Sequence, residues 1–190
     1  AVEIFSPVFN HVQHDPAAPL VQLGEPPTRS GSPGKRYKKA KEDGKSTYKS
    51  PIARDPDAID RANNSHAKLQ NDLAEFVRKA GYAPLSPEVP DTPNYDLAWY
   101  WGPGPTLVVA EVKSITDDNE TSQLRHGLGQ VLHYKYQILN GSCGSSQPED
   151  CLAVLAVERE PRDPIWEDVC WRNHVKLVWP GEFMRCFDWY

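Results

Sequence analysis

An α/β chain, a mixed sheet flanked by helices, is the expected fold, in the order α-β-β-β-α-β with a trailing α-β. Three observations predict it. Two long amphipathic stretches, 55–81 and 116–141, carry apolar residues at helical spacing. Between and after them lie short apolar runs, at 82–86, 95–101, 106–113, 151–158 and 175–179, set off by polar residues, Gly and Pro. With 190 residues, 39% of them hydrophobic and six of them Trp, the chain has material for one real core.

Along the chain, residues 1–12, "AVEIFSPVFNHV", read as a short strand or anchoring segment whose apolar residues need a partner. Residues 13–54 are rich in Pro, Gly, Ser and Lys and are expected to form a partly disordered arm. The domain reading is therefore an arm, or the remnant of an upstream domain, over 1–56, and a folded domain over 57–190. The first helix has Asp55 as N-cap, Pro56 at its first position and Asp57 in its first turn. Arg78 and Lys79 sit in its last turn and Gly81 stops it. Ile59, Ala62, Leu69, Leu73, Phe76, Val77 and Ala80 form its apolar stripe; His66 and Gln70 fall within that stripe and Glu75 points the opposite way. In the second helix Asp117 and Glu120 have capping-box spacing, with Leu124, Leu128, Val131, Lys135 and Ile138 on the inner face. A polar, mobile loop is expected over 140–150. A buried strand, a short helix over 162–173 and a final strand follow.

The formal net charge of −5 argues against a nucleic-acid binder until its distribution is read. Residues 1–56 hold nine Lys/Arg against six Asp/Glu, whereas 57–190 hold twelve against twenty. The basic residues concentrate in 29–49, eight against two acidic. Lys35, Arg36, Lys38 and Lys39 in this run are candidate phosphate contacts, with Tyr37 and Tyr48 interleaved to stack on bases. A solvated linker explains the same run equally well. The four cysteines match no zinc spacing and are expected as free thiols of a reducing cytoplasm. No apolar run is long enough to span a membrane, and the start of the chain lacks the pattern of a signal sequence.

The stretch "NYDLAWYWGPGPTLVVAEVKSI", 94–115, carries charges where a strand pair should bury itself. A hairpin turning at 103–104 puts Asp96 near Glu111, and strand alternation places Glu111 and Lys113 on one face. Two acids buried together cost free energy unless a positive charge compensates them. Mg²⁺ is the natural candidate, because it takes hard oxygen ligands and uses few carboxylates. The competing reading is a structural ion pair of Glu111 and Lys113, with Asp96 capping a turn. On the second helix, Gln123, Gln130 and Tyr134 fall within about 40° of one another and form a polar seam that could steady Lys113 or touch a phosphate. Gly127 and Gly129 each cost roughly 1 kcal/mol in a helix interior, which implies close approach of the sheet or of DNA.

The pattern Y-D-(14)-E-V-K, followed by a helix carrying Q-V-L-H-Y, resembles the PD-(D/E)XK nuclease superfamily over roughly 57–180. The resemblance implies a restriction-endonuclease-like αβββαβ core. It implies Asp96, Glu111 and the Val112 carbonyl as metal ligands, Lys113 as the catalytic lysine, and Gln130 and Tyr134 beside the site. It also implies a Mg²⁺-dependent DNA endonuclease of restriction or genome-defence type, with Mn²⁺ as substitute. By their helix positions His66, Gln70 and Gln123 are candidate substrate contacts, although a lone histidine on an apolar face is more often a satisfied core residue. Two departures stand out. Tyr95 replaces the Pro of the motif, and the first helix offers His66 and Gln70 where many members place a Glu, which disfavours a two-metal scheme. Alternatives sharing the fold are a non-catalytic nucleic-acid-binding or assembly module, a resolvase or transposon-end nuclease, and an RNA-directed nuclease. Double-strand cutting would ask for a homodimer, and target choice for an upstream recognition domain or a partner protein.

Overall fold

This computed structural model describes residues 34–41, 56–88, 92–102, 104–141 and 147–189, with side chains from residue 64 in the first helix. The expectations for residues 1–12, Asp55, Tyr48, Cys143 and the middle of the 140–150 loop lie outside the described residues.

Leu107, Val108, Val109, Ala110 and Val112 have no exposed surface. A strand buried on both faces must lie inside a sheet covered on both sides. The described strands, in chain order, are β1 (Lys35–Arg36), β2 (Leu85–Ser86), β3 (Leu97–Trp101), β4 (Thr106–Lys113), β5 (Asp150–Val157) and β6 (Val175–Val178), and they lie side by side in that order. The pairs from β1 to β4 are antiparallel, and β5 and β6 continue in parallel. Parallel neighbours need crossovers. Helices α2 (Glu120–Leu139) and α3 (Ile165–Arg172) supply them, and α1 (Pro56–Lys79) precedes β2.

Alternation along β4 divides the core. Leu107 and Val109 pack with Leu124, Val131 and Ile138 of α2. Val108, Ala110 and Val112 pack with Leu69, Leu73 and Val77 of α1 and with Phe183 and Cys186 of a C-terminal 3₁₀ helix, Phe183–Phe187. From α1 to β6 the observed order is the expected α-β-β-β-α-β with a trailing α-β; β1 before it and the 3₁₀ helix after it are additional. Gly81, at φ 92°, ends α1 where a side chain would be strained. Among the described residues, no helix is long and apolar enough to cross a membrane.

Three expectations are corrected. Helix α2 starts at Glu120, not near Asp117, and Asn119 holds the N-cap position. Asp117 faces Arg159 and Arg162 instead, and the Asn119 Oδ1 accepts from Thr116 N at 2.7 Å. The inner face of α2 is rolled by about 40° from the expected one, so Gly127 and Tyr134 are buried while Leu128 and Lys135 are half-buried. Finally, part of the basic arm is a strand. Lys35 and Arg36 pair with Ser86 and Leu85, because β2 would otherwise leave its backbone groups unpaired.

Candidate active site

Antiparallel pairing of Leu97 with Ala110 places the preceding residue, Asp96, beside Glu111. Asp96 N donates to Ala110 O at 3.2 Å, and Val112 N donates to Asp96 Oδ2 at 2.8 Å. These two bonds fix the Asp96 carboxylate against the end of β4. Glu111 and Lys113 share the α2 face, and Lys113 Nζ stands 2.5 Å from Glu111 Oε1. The Glu111 side chain is 4% exposed, Lys113 15% and Asp96 21%, so Asp96 is the most accessible of the three.

Charge is unbalanced there. Burial, and then the neighbouring Asp96 charge, push the Glu111 carboxyl up to about 7, against the opposing pull of Lys113. Helix α1 adds two polar groups from its apolar face. His66 Nε2 lies 3.4 Å from Asp96 Oδ1. Burial lowers the His66 pKa, but the hydrogen bond to Asp96 and its charge outweigh this, and the net shift is upward. Gln70 Nε2 donates to the Asp96 backbone carbonyl at 2.6 Å, so this amide positions the aspartate.

From α2, Tyr134 closes the other side. Its phenol is pushed up to about 12, first by burial and then by the Glu111 charge, and it stays protonated at neutral pH. Gln130 Nε2 donates to the Tyr134 hydroxyl at 3.2 Å, which leaves the phenolic proton directed into the site as a donor. Gly127 explains how α2 comes so close. A Cβ there would lie 2.5 Å from Leu155 Cδ1 and 2.9 Å from Lys113 Cγ. Gly129 has nothing within 4 Å and contributes no such approach.

Asp96, Glu111, Lys113, Gln130, Tyr134, His66 and Gln70 are thus brought together. Gln123 is half-buried one turn into α2 and makes no side-chain hydrogen bond among the described residues. Lys35, Arg36, Lys38 and Lys39 are exposed on the arm and are not among the groups packed around Asp96 and Glu111. One residue with a role in the arm's placement was missed, Asn71. It lies about 160° round α1 from Leu73, on the face expected to be solvated, yet it is buried beneath the arm. Only the fold reveals it.

The two carboxylates of Asp96 and Glu111 are hard oxygen donors of the kind that suit a divalent cation. Among the described residues no group of three His, Cys, Asp or Glu is arranged to hold a metal, so any ion here would complete its shell with water and substrate oxygens. Cys151, Cys170 and Cys186 are buried elsewhere in the core, and burial pushes the Cys170 and Cys186 thiols up to about 12. No family model, curated protein or solved structure matches the chain.

Proposed function

We propose that the chain is a metal-dependent endonuclease that hydrolyses DNA phosphodiester bonds, of restriction or genome-defence type and of PD-(D/E)XK character. The observation that carries this reading is the pair Asp96 and Glu111, neighbouring carboxylates at the end of β4, with Lys113 against Glu111 and with Val112 N and His66 against Asp96. Asp96, Glu111 and the Val112 carbonyl would hold Mg²⁺ or Mn²⁺. Lewis-acid stabilisation of the charge that develops on the phosphate is what such an ion supplies when bound. Lys113 Nζ is placed to orient the attacking water and to stabilise the same charge. Tyr134, kept protonated, donates a hydrogen bond on the α2 side. His66 and Gln70 hold Asp96 in register from α1.

A second reading, a nucleic-acid-binding or assembly module without turnover, is favoured by one observation. The 2.5 Å contact makes Lys113 and Glu111 a closed ion pair. Cleavage of supercoiled plasmid, unmodified and cytosine-methylated, with Mg²⁺, Mn²⁺ or EDTA, separates the two. Metal-dependent nicking or linearisation by the wild type, lost in Glu111→Ala, is expected. Equal cleavage by both proteins sinks the site assignment. No cleavage by the wild type, together with no Mg²⁺-dependent thermal shift, supports the module.

A further inference from the structure

Residues 34–41 carry five cations, Lys35, Arg36, Lys38, Lys39 and Lys41, all exposed, and no acid. A basic run in an arm is ordinarily a solvated one. Here it is anchored at both ends. At one end, Gly34 is buried so tightly that a Cβ would lie 2.4 Å from both Ser86 O and Tyr95 Oη. At the other end, Asn71 of α1 takes hold of the backbone. Asn71 Oδ1 accepts from Tyr37 Oη at 2.7 Å and from Ala40 N at 2.9 Å, and Asn71 Nδ2 donates to Ala40 O at 3.1 Å. Between them Tyr37 N donates to Pro84 O at 3.0 Å.

The direction of the anchored segment matters. β1 runs antiparallel to β2, and β2 antiparallel to β3. Gly34 therefore meets Tyr95, the residue next to Asp96, and Lys35 and Arg36 start at the end of the sheet that holds the acids. The remaining cations lead away from that end, over α1. Asn71 is also the neighbour of Gln70, whose amide holds the Asp96 carbonyl. One turn of α1 thus sets both Asp96 and the basic strip.

We propose that this clamped strip is a docking surface for the phosphate backbone of a DNA duplex flanking the cleaved bond, and that Asn71 is the positioning residue that aligns it with the site. The proposal rests on the endonuclease reading. It accounts for a buried asparagine whose groups all engage the arm, and for an acidic body gripping a polyanion beside its acids: the strip supplies local positive charge where the net charge opposes binding.

The test is fluorescence-anisotropy titration of a short labelled duplex in EDTA, which removes cleavage, between about 50 and 200 mM NaCl. Lys35→Ala/Arg36→Ala is expected to lower affinity and to reduce the salt slope by about one for each phosphate no longer neutralised. Asn71→Ala removes no charge, yet is expected to lower affinity and slope in the same direction. Tyr37→Phe, which removes one hydroxyl, is expected to do so more weakly and serves if Asn71→Ala fails to fold. Wild-type binding with a slope unchanged in every variant overturns the proposal and leaves the nuclease reading untouched. An unchanged slope with new self-association of Lys35→Ala/Arg36→Ala assigns the cations to guarding the sheet edge beside β1, and also overturns it. Tighter binding to phosphatidylserine vesicles than to DNA would overturn it in favour of a lipid surface. Failure of the nuclease reading is registered separately, in the plasmid assay.

Discussion

Two charged clusters are attached to the same helix, α2. At its first residue, Glu120 joins Asp117, Arg159 and Arg162. Arg159 Nη1 lies 2.6 Å from Glu120 Oε2, Arg159 Nη2 lies 3.1 Å from Asp117 Oδ1, and Arg162 pairs with Asp117. About two and four turns further along, Gly127 and Tyr134 close over Asp96, Glu111 and Lys113. Each cluster has two carboxylates. The first is balanced by two arginines, which are permanently charged, so nothing further is required of a ligand. The second sets Lys113 against Glu111 and the titratable His66 against Asp96 in a drier place, and Glu111 answers by holding its proton up to about 7. The first cluster closes the connection between β5 and α3 onto the start of α2. The second keeps an unmet demand for positive charge, which is what a metal-dependent site needs.

The largest effect should come from removing the lysine of the second cluster. Lys113→Ala is expected to lower cleavage by at least about 10²-fold, because the charge developing on phosphate loses its partner. The fold should survive, since Glu111 can neutralise itself by taking up a proton. Arg159→Ala should leave cleavage near wild type. Plasmid assays alongside circular dichroism check both, and equal losses of activity would erase the distinction between the clusters.

Next in size is a pH effect. A carboxyl whose folded-state pKa is raised binds protons more tightly in the folded chain than in the unfolded one. Its stabilisation is whole below the unfolded value of 4.5 and is lost as pH climbs through about 7. At full extent this amounts to roughly 3 kcal/mol. His66, also raised, acts in the same direction: its contribution is present below 6.5 and lost as pH passes its folded value. Metal-free protein should therefore melt at lower temperature as pH rises from mildly acidic to mildly basic. Mg²⁺ should restore more stability at the basic end, and Glu111→Gln should flatten the profile. A metal-free melting temperature that rises with pH would contradict this charge balance.

The balanced cluster gives a smaller, purely structural effect. Arg159→Ala leaves the Glu120 carboxylate, only 8% exposed, with less compensation. Arg159 itself is 35% exposed, so water and Arg162 soften the loss, and about 1–2 kcal/mol of stability is expected from denaturant melts. No measurable loss would place this cluster with ordinary surface pairs.

The two clusters also differ in how far the sequence shows them. Asp96, Glu111 and Lys113 are legible because hairpin arithmetic and strand parity are local rules, and the register of β3 on β4 obeys them. The hydrogen bond from Arg162 N to Glu120 Oε1 joins residues 42 apart, across a parallel crossover whose geometry no local pattern encodes. Hence Asp117 and Glu120 read as a helix cap. The same limit hides Asn71 and β1. A two-residue strand carries no period, and a buried asparagine opposite the apolar stripe looks solvated until the arm covers it. Likewise the 3₁₀ helix at Phe183–Phe187 follows from Phe183 and Cys186 sealing the α1 face, a tertiary demand.

The most selective predicted effects separate two glycines of α2 that stand only two residues apart. Gly127→Ala drives a methyl against Leu155, which is fully buried, and against the stem of Lys113. Overpacking of this kind costs about 1–3 kcal/mol, and here part of it should appear as displaced Lys113 and reduced cleavage. Gly129→Ala meets nothing within 4 Å and should instead stabilise α2 by up to about 1 kcal/mol, with cleavage unchanged. Combining Gly127→Ala with Arg159→Ala should give additive losses of stability, as expected of clusters with no shared partner. Strong non-additivity would mean that α2 couples the two, and that the balanced cluster sets the position of the site after all.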